Sequence, residues 1–185
     1  HMDVAKAKQL LAEAGYPNGF NTTIRTLSEP PFIDIAARLQ ATLAEGGIKA
    51  SIVTGTGNQV YGAMRARNFE IIVARGAERY PHPYFSLRTF VYNPDNSDSA
   101  GLPNFQGWRA SFFSPQLNSL IDQAGVERDA AQRLNLYHQA QKIYDEQVGP
   151  IMMISQMTDT VVSAADVKGF TGDDAEATRY LGVYK

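Results

Sequence analysis

Apolar residues recur at helical spacing from the start of the chain. Ala7, Leu10, Leu11 and Ala14 fall at i, i+3, i+4 and i+7 and share one face. Asp3 stands where an N-cap belongs, and Gly15 where a helix end takes a left-handed residue. Tyr16-Pro17-Asn18-Gly19 then supplies turn chemistry, since proline fixes φ and Asn-Gly tolerates positive φ. The β-branched stretch FNTTIRTL predicts a strand. A second helix begins near Pro31, carries Phe32, Ile35, Ala36, Leu39 and Leu43 on one stripe, and ends at Gly46-Gly47. IKASIV puts Ile48, Ala50 and Ile52 on one face of a strand. A shorter helix is predicted over Gln59 to Arg67. The continuous apolar run FEIIVA reads as a buried central strand. Helix and strand alternate as far as this strand, which predicts an α/β layer with parallel pairing and right-handed crossovers.

From Arg75 to Ser114 no period persists. Proline, glycine, asparagine and aromatic residues dominate, as in YPHPYF and VYNPDNSDSAGLPNF. A stretch this long is either a surface insertion, a ligand-facing segment or a set of short hidden elements. Two helices follow. Ser114-Pro115 opens the first, with Leu117, Leu120, Ile121 and Ala124 on a face. Asp129 and Gln132 resemble a capping box for the second, whose apolar side is Leu134, Tyr137, Ile143, Tyr144 and Val148. Gly149-Pro150 stops it. IMMIS and TDTVVS read as two strands, VKGF as a short extended piece, and Thr171 to Lys185 as irregular.

Composition narrows the function classes. The 185 residues suffice for one lobe with a core, and 44% hydrophobic with 19% charged residues is ordinary for a folded domain. A net charge of −2 gives no general attraction to nucleic acid. With no cysteine, disulfides, thiolate nucleophiles and cysteine-bound zinc are excluded. No apolar run approaches the ~20 residues that cross a bilayer. His1-Met2 reads as a cloning scar, leaving residues 3–185 as a single α/β lobe.

No constellation for catalysis stands out. His138 lies on a helix, and His82 lies between two prolines without a cluster at metal spacing. There is no G-x-S-x-G elbow and no P-loop. Gly55-Thr56-Gly57-Asn58 is a lone G-x-G ahead of a helix, better read as a turn than as an anion site. No enzyme activity, metal or cofactor is expected.

The order of segments resembles a known family. DVAKAKQLLAEAGYPNGF, ARLQATLAEGGIKASIV and VYGAMRARNFEIIVARG, followed by YPHPYF, FFSPQLNSLIDQA, RDAAQRLNLYHQAQKIYDEQVGPIMMI and VKGF, are similar to the C-terminal lobe of the peptide/nickel-type (family 5) substrate-binding proteins of bacterial ABC importers. The resemblance implies a periplasmic-binding-protein-like α/β lobe, a mixed sheet flanked by helices. It further implies an exported, periplasmic parent protein whose N-terminal lobe is missing here. Two lobes would close on a small-molecule ligand, an oligopeptide or related solute, and dock on ABC permease subunits in the membrane. A ligand-sensing domain of a bacterial transcription regulator is the alternative, and a small hydrolase using paired carboxylates a more distant one.

The resemblance also implies ligand-facing residues. Many peptide binders of the family carry W-x-A-D-Y after the strand that matches FEIIVA, and its acid can pair with a peptide amino terminus. Here the stretch is GAERYPHP, with Gly76 at the Trp position and Arg79 at the Asp position. A cation there reverses the sign of the contact and favours a carboxylate, phosphate or sugar hydroxyl on the ligand. A shift of one residue would bring Glu78 into the role instead. Arg75 ends the strand and either faces the cleft or pairs with a nearby acid. Tyr80, His82, Tyr84, Asn104 and Trp108 are further candidates, with loop packing as the other reading of Trp108. Tyr137 and Tyr144 are expected in the core.

Overall fold

A computed structural model describes residues 3–76, 82–155, 158, 160, 162–170 and 182–185. The chain divides into two compact units, His1–Gly76 and Ala77–Lys185.

In the first unit, helix α1 (Val4–Glu13) begins where the Asp3 side chain accepts the Lys6 amide at 2.9 Å. Gly15 follows at φ +89° and reverses the chain. The apolar stripe of this helix is less covered than its spacing predicts: none of its residues is buried, and Leu10 is 51% exposed. Strand β1 (Asn21–Leu27) runs next, then helix α2 (Phe32–Gly46), closed by Gly47 in the left-handed region. Strand β2 (Lys49–Gly55), helix α3 (Gly57–Arg65) and strand β3 (Ile71–Val73) complete the unit.

The sheet has the order β2-β1-β3, and its described strands are all parallel. β1 pairs with β2 from Asn21↔Lys49 to Leu27↔Gly55, and with β3 from Ile24↔Ile71 to Thr26↔Val73. The central strand is therefore β1 and not FEIIVA. An apolar run signals burial on its faces, but only the ladder decides which strand has two neighbours. Ile24, Ala36 and Val60 are wholly buried in the core, with Leu27, Phe32 and Val73 around them and the rest of the α2 stripe packed alongside. Thr26 is wholly buried too, and its hydroxyl donates to the Val73 carbonyl at 3.0 Å, so it leaves no orphan donor in the core. The lone G-x-G is a helix start: Gln59 Oε1 accepts from the Thr56 amide at 2.8 Å and from its hydroxyl at 3.2 Å.

The second unit is helical in its described parts. The segment without a period contains helix α4 (Pro83–Phe90), a 3₁₀ turn (Asp98–Ala100) and the short helix α5 (Gln106–Arg109). An eight-residue helix built of aromatic and small polar residues shows too few turns for its period to be read. Helix α6 (Pro115–Val126) starts at Ser114, whose hydroxyl accepts the Leu117 amide at 3.3 Å. Helix α7 (Ala130–Glu146) starts at Asp129, which accepts the Gln132 amide at 2.8 Å. The Asp129 amide itself goes to Glu127 Oε1 at 2.8 Å rather than to Gln132. Leu117, Ile121, Ala140, Phe90, Val91 and Tyr92 form the core. Leu134 and Val148 lie outside it, 52% and 83% exposed, whereas Ala140 takes a buried place that a small residue does not advertise.

Asn93 is wholly buried and ties loop to helix. Its amide donates to Asn118 Oδ1 at 3.0 Å, its carbonyl accepts from Asn118 Nδ2, and its Nδ2 donates to the Phe112 carbonyl at 2.9 Å. Ile151–Ser155 forms no strand, and the described residues of TDTVVS are likewise outside any strand. VKGF makes an antiparallel bridge, Lys168↔Tyr184.

Two substitutions separate backbone geometry from propensity. Gly19 has φ +72°, and a Cβ on it would sit 1.8 Å from the Gly47 carbonyl oxygen. Gly19→Ala is expected to cost more than about 2 kcal/mol in urea unfolding. Gly62, inside α3, has open space where a Cβ would stand, with nothing within 4 Å. Gly62→Ala is expected to stabilise by about 0.5–1 kcal/mol.

Glu70 gives a pH signature. Its Oε2 accepts from the Thr23 hydroxyl at 2.6 Å, the Thr23 amide at 2.5 Å and the Thr22 hydroxyl at 3.2 Å, stitching the start of β1 to the approach to β3. These bonds, the Thr23 hydroxyl foremost, hold the carboxyl below its ordinary value of 4.5. The folded value lies under the unfolded one, so the contribution is present above pH 4.5 and is lost as pH falls below it. Glu70→Gln is expected to lower the melting temperature at pH 7 and to flatten its fall between pH 5 and 3, read by circular dichroism, with roughly those limits set by ordinary carboxylate titration.

Candidate functional site

Of the candidates that the sequence suggests, Glu78, Arg79 and Tyr80 lie outside the described residues. Arg75 belongs to the first unit. It is exposed, two residues past the end of β3, and its carbonyl accepts from the Tyr61 hydroxyl at 2.9 Å. That bond joins α3 to the chain leaving the sheet and sets where the backbone departs from the strand's carboxyl end. Among the described residues, no carboxylate stands within ion-pair distance of Arg75.

The second unit brings His82 and Tyr84 together on the first turn of α4. His82 is the N-cap: its Nδ1 accepts the Tyr84 amide at 3.2 Å, which leaves Nε2 as the proton-bearing nitrogen of the neutral ring. Pro83 at the first helical position has no amide to satisfy and a φ suited to the turn. The exposed His82 ring meets Phe85 and Tyr137 edge-on, at 6.1 and 6.2 Å between centroids. Tyr84 is half-buried against the core, and a Cβ on Gly125 would come within 2.7 Å of its ring. Gly125 is the notch in α6 that admits this tyrosine.

Tyr137 is where helical spacing places it, in the core, 6% exposed. The unforeseen feature is its hydroxyl, which is buried with no hydrogen-bond partner among the described residues. Burial raises the pKa of this phenol above its ordinary value. A buried unpaired hydroxyl carries a desolvation cost that phenylalanine would avoid. No pattern in the sequence distinguishes such a tyrosine from one whose oxygen is bonded.

Asn104 and Trp108 sit on the loop around α5. Asn104 is exposed in a turn. Trp108 is buried, 6% exposed, and its indole N–H donates to the Ser97 carbonyl at 2.9 Å. Arg109 Nε donates to the Pro103 carbonyl at 2.6 Å, so the loop is bonded on both flanks of Asn104. Gly107 allows the close approach: a Cβ there would meet the Val91 carbonyl oxygen at 2.4 Å.

A charged cluster without a signature in the sequence joins α4, Tyr92 just beyond its end, and α6. The Arg88 guanidinium stands 4.6 Å from the Tyr92 ring centroid and 3.8 Å from Asp122 Oδ1, while the Tyr92 hydroxyl donates to Asp122 Oδ2 at 3.1 Å. Burial, then Asp122, raises the Tyr92 phenol. Tyr92 and Asp122 also border an open hollow of about 480 Å³ with Pro94, Phe113 and Asn118. Among the described residues, no group of three or more His, Asp or Glu is placed to hold a metal ion, and no helix is long and apolar enough to cross a membrane.

The profile of the bacterial extracellular solute-binding proteins, family 5 (middle region), matches residues 1–98. Heme-binding protein A of Haemophilus influenzae is 29% identical over 186 aligned positions, covering 98% of this chain and 32% of the relative. The glutathione-binding protein GsiB of Escherichia coli is 30% identical over 150 positions, covering 76% of this chain and 28% of that protein. The structure of the periplasmic binding protein DppA of Helicobacter pylori with the peptide STSA superposes with a TM-score of 0.77 at 26% identity, over 98% of this chain and 34% of that one. The chain thus spans about a third of the length of these relatives.

A pair of tyrosines tests the effect of the buried hydroxyls. Tyr137→Phe is expected to leave stability unchanged or to raise it by up to about 1 kcal/mol, since no bond is lost. Tyr144 donates to the Ile151 carbonyl at 3.0 Å and accepts the Ile151 amide at 2.8 Å. Tyr144→Phe leaves both groups without their partner and is expected to cost about 1–3 kcal/mol in urea unfolding.

Proposed function

The chain belongs to family 5 of the bacterial extracellular solute-binding proteins, and from that premise we propose that it serves as one solute-binding lobe of an ABC importer's substrate-binding protein. Residues 3–185 act as a single lobe and close on a small ligand together with an N-terminal lobe of the same parent protein. The parent is exported to the periplasm and delivers its ligand to permease subunits in the membrane. It performs no chemistry on the ligand. The observation that carries this reading is the likeness, over 98% of the chain, to a periplasmic binding protein whose structure holds a peptide. Closure of two lobes around a solute is a common way to bury most of a small ligand's surface. A single lobe buries far less, so tight binding is expected only from the longer polypeptide.

The ligand class is a peptide or a related small solute, and the residues proposed to meet it are Arg75, Glu78, Arg79, Tyr80, His82, Tyr84, Asn104 and Trp108. For Trp108 the proposed part is indirect: its buried indole supports the loop that carries Asn104. Arg79 sets the expected polarity. A guanidinium in a desolvated cleft repels a free ammonium and receives a carboxylate or phosphate with paired donors. The solute is therefore expected to present an anionic or polyhydroxyl group where ordinary peptides present their amino terminus.

Isothermal titration of the longer parent protein against di- and tripeptides, amino-blocked peptides, sugar acids and phosphorylated solutes tests this. Binding by an anionic member of the panel, weakened about tenfold or more by Arg79→Ala, is the expected result, as for loss of a charge-assisted contact. Tight binding of unmodified di- or tripeptides that is lost on Arg79→Ala would overturn the assignment of Arg79. A parent that binds none of these solutes and carries a DNA-binding module would favour the regulator reading.

A further inference from the structure

Of the chain's asparagines, only Asn18 precedes a glycine. A carboxamide followed by glycine can close on its own main chain, because no side chain on the next residue hinders approach to that residue's amide nitrogen. Asn18 is exposed, in the turn Tyr16-Pro17-Asn18-Gly19 between α1 and β1. Among the described residues, no hydrogen bond holds its side chain. Two other asparagines precede a serine, and both are tied. Asn96 Oδ1 accepts from Asn93 Nδ2 at 2.9 Å, and the Ser97 amide beside it donates to Asp95 Oδ1 at 2.8 Å. Asn118 bonds the amide and the carbonyl of Asn93, and Ser119 lies within α6.

The fold imposes the glycine. Gly19 stands at φ +72°, and the Gly47 carbonyl oxygen leaves no room for a Cβ on it. Packing of the approach to β1 against the end of α2 thus requires the one neighbour that leaves Asn18 reactive. The same turn supplies a brake. The Gly19 amide, which would attack the carboxamide, donates to the Tyr16 carbonyl at 2.9 Å. Ring closure needs that bond opened.

We propose that Asn18 is a site of spontaneous deamidation, gated by opening of the Tyr16–Gly19 turn. The Gly19 nitrogen gives up its proton to solvent and bonds to Asn18 Cγ. The Cγ–Nδ2 bond breaks, ammonia leaves, and a five-membered succinimide remains. Water then opens one of the two ring carbonyls. Opening at Cγ gives aspartate, and opening at the main-chain carbonyl gives isoaspartate, whose main chain runs on through Cβ and Cγ. Either product adds one negative charge to a chain of net charge −2. Only isoaspartate lengthens the backbone, and it does so where there is no slack. Gly19 is pressed against Gly47, and the Phe20 carbonyl accepts the Lys49 amide at 2.9 Å beside the Asn21↔Lys49 rung. Isoaspartate at this position therefore loosens the first rung between β1 and β2. The site stands independently of the solute-binding reading.

The test ages the 185-residue chain in mildly alkaline buffer, with and without urea sufficient to unfold it. Peptide mapping by mass spectrometry and labelling by an isoaspartate-specific methyltransferase follow the products. In the folded chain, conversion at Asn18 is expected to exceed that at Asn96 and Asn118 about tenfold or more, and urea is expected to speed it about tenfold or more as the turn opens. Asn18→Ser is expected to remove the label from this turn and keep the circular dichroism of the parent chain. In the isolated isoaspartyl form, the Lys49 amide is expected to exchange about tenfold or more faster than in the fresh chain. Asn18→Asp carries the same charge on an unaltered backbone and is expected to keep that amide protected. Labelling no greater at Asn18 than at Asn96 and Asn118 overturns the site. A rate that urea leaves unchanged overturns the turn as its gate. Lys49 protection that persists in the isoaspartyl form, or is lost equally in Asn18→Asp, overturns the backbone consequence.

Discussion

Strand β1 is hydrogen-bonded along both edges, and the first unit is arranged around that double pairing. Its full seven-residue register with β2 and its shorter register with β3 put Ile24 and Thr26 where no solvent reaches. A parallel strand cannot turn straight back on its neighbour, so each pairing demands a crossover helix. The α2 stripe packs on this core, and Val60 of α3 joins it. Three threonines of β1 are matched to the same geometry. Thr26 is satisfied by β3, and Thr22 and Thr23 converge on Glu70 just before that strand begins. A backbone ladder and a carboxylate thus fix the same pairing from two ends.

The second unit has no comparable ladder among its described residues and relies on side chains that bond to backbone. Asn93 and Asn118 exchange amide and carbonyl bonds much as two paired strands would, but across a loop and a helix. Tyr144 does the same for Ile151. Trp108 and Arg109 hold the loop around α5 through carbonyl groups of Ser97 and Pro103. Such contacts let an irregular segment be held in place without regular structure. Glycine recurs where the packing is closest. Gly107, Gly125 and Gly149 each lie so near a carbonyl or an aromatic ring that a methyl group would not fit.

The proposed function would give these local devices a common purpose. Binding a solute without chemistry on it would need a shaped, positioned surface rather than an activated nucleophile. His82 is engaged as a helix cap through one nitrogen and leaves the other outward, and Tyr84 is wedged into α6. Both are therefore held in place by the fold itself, so that under the proposed binding role little further entropy would be lost in ordering them. The charged set of Arg88, Tyr92 and Asp122 is internally matched, so it reads as reinforcement of α4 against α6.

Periodicity along the chain was enough to locate α1, α2, α6 and α7, the first two strands and their caps at Asp3, Ser114 and Asp129. These depend on local spacing and on which side chain can reach a free amide. Segment order was enough to reveal the family. The identity of the central strand was not legible, because FEIIVA is more apolar than the strand that has two neighbours, and ladder partners are a long-range matter. Helix α4 was hidden by its brevity and its aromatic content. IMMIS has the composition of a strand, yet composition specifies a need for pairing and not the partner that meets it. Helical spacing places Tyr137 correctly inside and leaves Trp108 open between ligand contact and loop packing, but whether each polar atom finds a bond depends on residues far away in the sequence. Local chemistry is written in adjacent residues, whereas partners, neighbours and satisfied hydrogen bonds exist only once the chain has packed.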